Sequence, residues 1–248
     1  MLTEKELERY DRQIIMPGFG REGQEKLKKA RAFIAGVGGL GSPLAIYLAA
    51  AGVGMIRIVD QDIVSLSNLN RQVLHWQEDI DRPKIASAQE KLGRLNPDIK
   101  IEAIRETITE NNVHQFADDC DLIVDAMDNM EARYLLTKTA LKLKIPFFHG
   151  AVWGFEGRAM TVIPGESACL GCLYRGMTRK EKFPVIGAVP AVIACIQATE
   201  VIKYIVGIGD LLTNRLLTYD GLSMKFMEFG VRRNPECRFC GDTQNQGV

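Results

Sequence analysis

The sequence predicts an α/β protein built on a largely parallel, doubly wound sheet, and three observations carry that expectation. Short apolar runs alternate with helix-length segments through most of the chain. The glycine-rich turn GVGGLG lies between one such run and the helix after it. The 248 residues, 46% hydrophobic and 25% charged, suffice for a full core without disulfides.

In chain order, residues 3–9 are polar and helical in character and lead to the turn Met16-Pro17-Gly18. A second short helix over 22–30 precedes the strand run Ala32-Phe33-Ile34-Ala35, the glycine turn at 36–41 and a helix over 42–51. Next come a strand over 55–60, a helix near 83–95, a strand over 100–104 and a helix near 110–116. A strand over 122–124, a helix over 131–143 and a strand over 146–151 complete the alternation, which implies right-handed crossovers.

After Gly150 the texture changes. A strand over 158–163 precedes a first cysteine pair, a polar stretch at 175–182 and a long apolar helix over 191–206. Segments 215–219 and 224–228 flank Asp220-Gly221 and read as a hairpin. A second cysteine pair follows, and 242–248 form a polar tail. This last part is too small for its own core, so residues 1–248 read as a single domain, with a first part of about 1–151 and an extension of about 152–248.

Lysine plus arginine and aspartate plus glutamate number 31 each, so no global field recruits nucleic acid or an anionic membrane. The charged N-terminus lacks the apolar core of a signal peptide. The longest apolar run, near 185–196, is broken by Gly187 and Pro190, and no bilayer-spanning segment is expected. These features place the protein in the cytoplasm. Of six cysteines, Cys120 and Cys195 read as buried thiols in apolar surroundings. Cys169 and Cys172, and then Cys237 and Cys240, form two Cys-X-X-Cys pairs across a gap of about sixty residues, a spacing that fits a structural tetrahedral Zn²⁺ site. Gly241 is expected to let backbone amides point at thiolate. A redox pair is the alternative, but neither pair is expected to open a helix in a thioredoxin-like context.

Gly36, Gly38 and Gly41 occupy the GxGxxG positions between strand and helix, where a helix N-terminus meets a phosphate. Asp60 ends the next strand, 19 residues past Gly41, placed to accept from ribose hydroxyls. The turn alone leaves NAD, FAD and ATP open. The segment from Asp60 to Gln72 then adds Asp62, Ser67, Asn68 and Arg71, Lys84 begins a helix, and Asp125-Ala126-Met127-Asp128-Asn129 ends another strand at the same sheet edge. Cations and an acidic residue converging on a triphosphate suit phosphoryl or nucleotidyl transfer, in which negative charge is neutralised and Mg²⁺ is held. His75, His114 and His149 are isolated in the sequence and read as structural.

Taken together, GVGGLG, VDQDIVSLSNLNRQ, Lys84 and DAMDN resemble the adenylylating domain of the MoeB/ThiF/HesA family, relatives of ubiquitin-activating enzymes. The resemblance runs from RYDRQI to NPECRFCG, almost the whole chain. It implies a Rossmann-like sheet extended by C-terminal antiparallel strands, usually in a homodimer. It also implies ATP-dependent adenylation of the C-terminal glycine of a small ubiquitin-like (β-grasp) sulfur carrier ending in Gly-Gly. By the same resemblance, Gly36, Gly38, Gly39, Gly41, Asp60, Asp62, Ser67 and Asn129 line the nucleotide. Asn68, Arg71 and Lys84 contact phosphates, Asp128 binds magnesium, and Arg12 reaches into the neighbouring subunit's site. Such a carboxylate is already ionised at neutral pH, so no general base is needed.

The chain departs from the family pattern in one respect. Residues 173–194, where several members carry a reactive cysteine, contain none, and Cys195 lies inside the apolar helix. The reaction is therefore expected to stop at the acyl-adenylate. The short end after the second knuckle leaves no fused rhodanese domain, so a sulfur donor would be a separate protein. Competing readings keep the adenylation but change the carboxylate to one on a modified tRNA or small molecule, or reduce the protein to a nucleotide-binding scaffold. An oxidoreductase is disfavoured because no hydride-transfer acid or base is visible.

Overall fold

In the computed structural model, which describes residues 1–174 and 184–241, the alternating segments assemble into one eight-stranded sheet. The polar stretch at 175–182 and the tail at 242–248 lie outside the described residues. α1 (Glu4–Arg9) starts on a capping box, in which Glu6 N–H donates to Thr3 Oγ1 and Thr3 N–H to Glu6 Oε2. A single helical turn not foreseen from the sequence, α2 (Asp11–Ile14), leads to α3 (Gly20–Lys29). There follow β1 (Arg31–Ala35), α4 (Gly41–Ala51), β2 (Met55–Val59), α5 (Lys84–Leu95), β3 (Lys100–Ile104) and a short α6 (Val113–Ala117). β4 (Leu122–Asp125), α7 (Met130–Leu143), β5 (Phe147–Trp153) and β6 (Glu156–Val162) come next. The chain continues through α8 (Leu170–Tyr174), α9 (Ala188–Val206), β7 (Arg215–Asp220) and β8 (Lys225–Gly230).

Strand order is β3-β2-β1-β4-β5-β6-β7-β8. The first five run parallel, and β6, β7 and β8 extend the sheet antiparallel. Ala35 pairs with Val59 on one side and Asp125 on the other, so β1, β2 and β4 end flush. The chain leaves β1 toward β2 and returns on its other side as β4, which makes a topological switch point at these carboxyl ends, the place where doubly wound sheets bind ligands.

Side chains alternate across the sheet with period two. Ala32, Ile34, Ile56, Ile58, Leu122 and Val124 enter the core beneath α4, α5 and α9, whereas Phe33, Ala35, Val59 and Ile123 enter the one beneath α6, α7 and α8. Both cores draw on residues before and after 151, and a division at 151 would fall inside β5, which pairs with β6 along its length.

Two expectations are corrected. Pro190 does not interrupt the apolar segment: it sits in the first turn of α9, where a missing N–H breaks no helical bond. The resulting 19-residue helix is long and apolar enough to cross a bilayer, but half of its most apolar window is buried in the protein, against α4, β5 and β6. The C-terminal hairpin does not turn on Asp220-Gly221 alone. Asp220 still pairs with Lys225 within the strands, and a four-residue loop follows in which Asp220 accepts from Leu222 N–H (2.9 Å) and Ser223 Oγ (2.6 Å).

Candidate functional site

Three loops meet above the flush ends of β1, β2 and β4. Gly36 has φ +90°, and a Cβ there would lie 3.1 Å from the Ala126 carbonyl oxygen; a Cβ on Gly41 would collide with the Gly36 carbonyl. Glycine at these two positions is thus demanded by the turn and by helix–strand approach. Gly38 and Gly39 differ, because their nearest neighbours would be Gln72 Nε2 and Arg71 Cγ, both at 3.5 Å. Protein packing tolerates a side chain there, so packing alone does not demand glycine at either position.

Asp60 fastens the second loop to the first. Its Oδ2 accepts from Val37 N–H (2.9 Å) and its Oδ1 from Asp62 N–H (2.9 Å). Asn68 Oδ1 accepts from Ser65 N–H (3.1 Å) and shapes the short helix carrying Ser67, whose hydroxyl lies 3.1 Å from that of Ser65. Arg71 donates to the Ser67 carbonyl (2.9 Å) and Asn70 Oδ1 (3.0 Å), and its aliphatic stem lies against Gly39. Lys84 opens α5 and is 5% exposed, so it is not a solvated helix residue. Its Nζ donates to Asp62 Oδ2 at 2.8 Å and its backbone N–H to the Asp62 carbonyl at 3.0 Å.

In the third loop Asp128 is exposed, 3.3 Å from Asn129 Nδ2, and Asn129 Oδ1 caps α7 through Ala132 N–H (2.9 Å). An exposed carboxylate beside the glycine turn suits magnesium, which takes one or two carboxylates and completes its shell with water and phosphate oxygens.

Arg12 is not brought to this site. It is exposed and forms no hydrogen bond or ion pair among the described residues. Its neighbour Gln13 donates to the Ala51 carbonyl at the far end of α4. That places Arg12 about one length of α4, roughly 16 Å, from its own glycine turn.

His75 and His149 are buried, and neither is isolated once the chain is folded. His149 is fully buried between Asp125 Oδ2, to which Nδ1–H donates (2.7 Å), and Tyr174 OH (3.0 Å). Burial pushes it below the ordinary histidine range, although the Asp125 carboxylate opposes the shift. His75 is likewise buried and depressed, with the Val37 carbonyl as its strongest opposing contact. Gln197 was missed altogether. Its Nε2 donates to the carbonyls of Asp125 (2.8 Å) and Phe148 (3.0 Å), bracing the third loop from α9. An amide following the apolar run 188–196 of α9 was the signal that could have found it.

The four sulfurs of Cys169, Cys172, Cys237 and Cys240 lie within 4.8 Å of one another. Neighbouring pairs stand 3.5, 3.6 and 4.0 Å apart. Tetrahedral zinc with Zn–S of about 2.3 Å separates its sulfurs by about 3.8 Å, so the donor set fits. Contrary to expectation, the first pair does open a helix, α8, yet all four thiols gather on one point. The amides that reach sulfur belong to Asn234 (to Cys172, 3.4 Å) and Phe239 (to Cys237, 3.5 Å). Gly241 instead donates to the Cys237 carbonyl, closing a knuckle too tight for a side chain. Cys195 is half-buried on α9 and burial raises its pKa; Cys120 is pushed up to about 12 by burial, though its surroundings are not apolar, with Arg57 Nη1 at 3.6 Å.

The ThiF family profile matches residues 10–239. The chain is 41% identical over 247 residues to the SAMP-activating enzyme E1 of Haloferax volcanii, covering 97% of this chain and 91% of that one. It is 41% identical over 255 residues to the sulfur carrier protein adenylyltransferase of Thermus thermophilus, covering 98% and 94%. Among solved structures, E. coli MccB with AMPCPP and MccA superposes with a TM-score of 0.87 at 24% identity, over 97% of this chain and 75% of that one, a likeness of fold.

Proposed function

This chain belongs to the ThiF family, and on that premise we propose that it adenylates the C-terminal carboxylate of a small ubiquitin-like sulfur carrier ending in Gly-Gly, consuming ATP and releasing pyrophosphate. The observation that carries the reading is Lys84, a buried ammonium held at the mouth of the loop that also carries Arg71 against the glycine turn. Burying a lysine is costly unless an anion faces it. Asp62, itself exposed, supplies one, and the triphosphate would be the second.

The carrier carboxylate oxygen forms a bond to the α-phosphorus as the bond to pyrophosphate breaks. Both partners are anions, so the barrier is repulsion, not proton transfer. Lys84 and Arg71 offset that charge, the outward amides of the glycine turn hold a phosphate, and Asp60 accepts from the ribose. Asp62, Ser67, Asn68 and Asn129 shape the walls around the nucleotide. Asp128 would hold Mg²⁺, which supplies further charge neutralisation when bound. The cysteines at 169, 172, 237 and 240 would hold structural Zn²⁺ in a closed shell with no open position for chemistry. With no cysteine in 173–194 and the Cys195 thiol raised by burial, the product of this chain is the acyl-adenylate, and a separate protein supplies sulfur. The nucleotide-binding part (about 1–151) and the zinc-bound extension (about 152–248) act as one unit.

ATP–pyrophosphate exchange tests the reading. Exchange is expected only when a Gly-Gly-terminated carrier is added, and removal of the terminal glycine should abolish it. Exchange driven instead by a free peptide or a small carboxylate, with every carrier from the same genome silent, would replace the carrier with another substrate.

Arg12 belongs to the partner's site in this scheme, which requires a homodimer. Mixing inactive Arg12→Ala and Lys84→Ala proteins should restore about a quarter of wild-type activity, because half the dimers are mixed and each carries one intact site. Absence of rescue after verified subunit exchange would return Arg12 to its own chain.

A further inference from the structure

His75 is buried, 3% exposed, and no step above uses it. Its Nε2 lies 3.1 Å from the Val37 carbonyl oxygen and its Nδ1 3.0 Å from Ser87 Oγ. A carbonyl can only accept, so Nε2 carries the proton and Nδ1 accepts from the Ser87 hydroxyl. Ser87 Oγ accepts in turn from Lys91 Nζ (2.8 Å), and Lys91 is paired with fully buried Asp79. Asp79 is fixed further by Trp76 N–H (2.8 Å) and Arg82 (2.7 Å). The imidazole is therefore anchored from α5 and cannot swing away without breaking a chain of buried bonds.

At the other end, every polar group of Val37 is engaged. Its N–H donates to Asp60 Oδ2 (2.9 Å), and its carbonyl accepts from Ser42 Oγ (3.1 Å) as well as from His75. A trans peptide sets a carbonyl and the following N–H on opposite sides of the chain. With the Val37 carbonyl drawn inward to His75, the Gly38 N–H must face outward. Neither the Gly38 nor the Gly39 N–H has an acceptor among the described residues.

We propose that His75 is a positioning residue for the nucleotide: it locks the Val37–Gly38 peptide plane so that the Gly38 amide is presented to a phosphate. The inference rests on reading the glycine turn as the nucleotide site. Glycine at 38 leaves that plane free to rotate, and Ser42 alone holds the carbonyl from one side only.

Calorimetric titration of the zinc-loaded, full-length protein with ATP and with adenosine tests it. His75→Phe keeps a planar ring but removes the donor, and should weaken ATP binding about tenfold, the worth of one hydrogen bond to a charged group. Adenosine, which has no phosphate, should bind this variant as it binds wild type. His75→Gln restores an N–H at similar reach and should recover ATP affinity. Wild-type protein that binds no ATP would sink the nucleotide reading itself. Wild type that binds ATP, with His75→Phe either unaffected or weakened equally for adenosine, would overturn the role of His75 alone. Should His75→Phe not fold, the imidazole ¹⁵N shifts of wild type decide. The Nε2–H tautomer is expected, and the Nδ1–H tautomer overturns the proposal.

Discussion

Lys84→Met should reduce carrier-dependent ATP–pyrophosphate exchange by about 10²- to 10³-fold or more, the range seen when one preorganised stabiliser of developing charge is removed. The substitution keeps the apolar stem that packs at the start of α5 and deletes only the ammonium. Its structural partner, Asp62, has a 57% exposed side chain and can be rehydrated at little cost, so the folded state should lose about 1 kcal/mol or less. For a chain of this size that is a shift of about 2–4 °C in melting temperature. Activity and stability therefore separate, and measuring exchange and thermal unfolding on the same preparation checks both. Exchange within tenfold of wild type would reduce Lys84 to a partner for Asp62. A large loss of melting temperature would mean that the pair holds the loop and not the phosphates.

Removing the metal should have the opposite signature. The four thiols join α8 to the segment after β8, and Phe239 of the second knuckle packs edge-on against Tyr134 of α7 at 5.2 Å. A Cβ on Gly171 would press on Phe239 and Cys237 Sγ, so the two knuckles interlock closely. Without metal, burial disfavours the charged forms of Cys169 and Cys240, the latter pushed up to about 11, whereas hydrogen bonds from neighbouring amides and thiols outweigh burial at Cys237 and lower it. Structural zinc contributes about 10–16 kcal/mol in isolated zinc-finger peptides. Here part of the corner is also held by sheet pairing, so a loss of roughly 5 kcal/mol is expected, or about 10–20 °C in melting temperature. Calorimetric scans before and after chelation, with zinc added back, measure it. A metal-free protein that melts with the native one yet lacks activity would move the zinc from a structural to a chemical role.

Much of this was legible in the chain itself because the signals are local. Alternating apolar segments indicated the parallel sheet, since side-chain periodicity reports which face is buried wherever the strand ends up. GVGGLG between strand and helix marked the turn, because its conformation is set by neighbouring residues. Where local signals misled, a tertiary contact was responsible. Pro190 looked like a break in an apolar run, but at the first turn of α9 it costs no bond. His149 looked isolated because its partners Asp125 and Tyr174 are 24 and 25 residues away.

Fold class, glycine turn and the two Cys-X-X-Cys pairs thus followed from residue order, because helix and strand periodicity, turn chemistry and cysteine spacing act over a few residues. The meeting of the two pairs, by contrast, spans 68 positions. Folding alone could bring Asp60 to Val37 across 23 positions, Lys84 to Asp62 across 22, His75 to Val37 across 38 and Gln197 to Asp125 across 72. Those meetings depend on β1 lying between β2 and β4, with all three ending at one level. Hydrogen-bond partners this far apart are chosen when the sheet closes, and the direction of the Gly38 amide, the burial of Lys84 and the distance of Arg12 from its own turn are decided there.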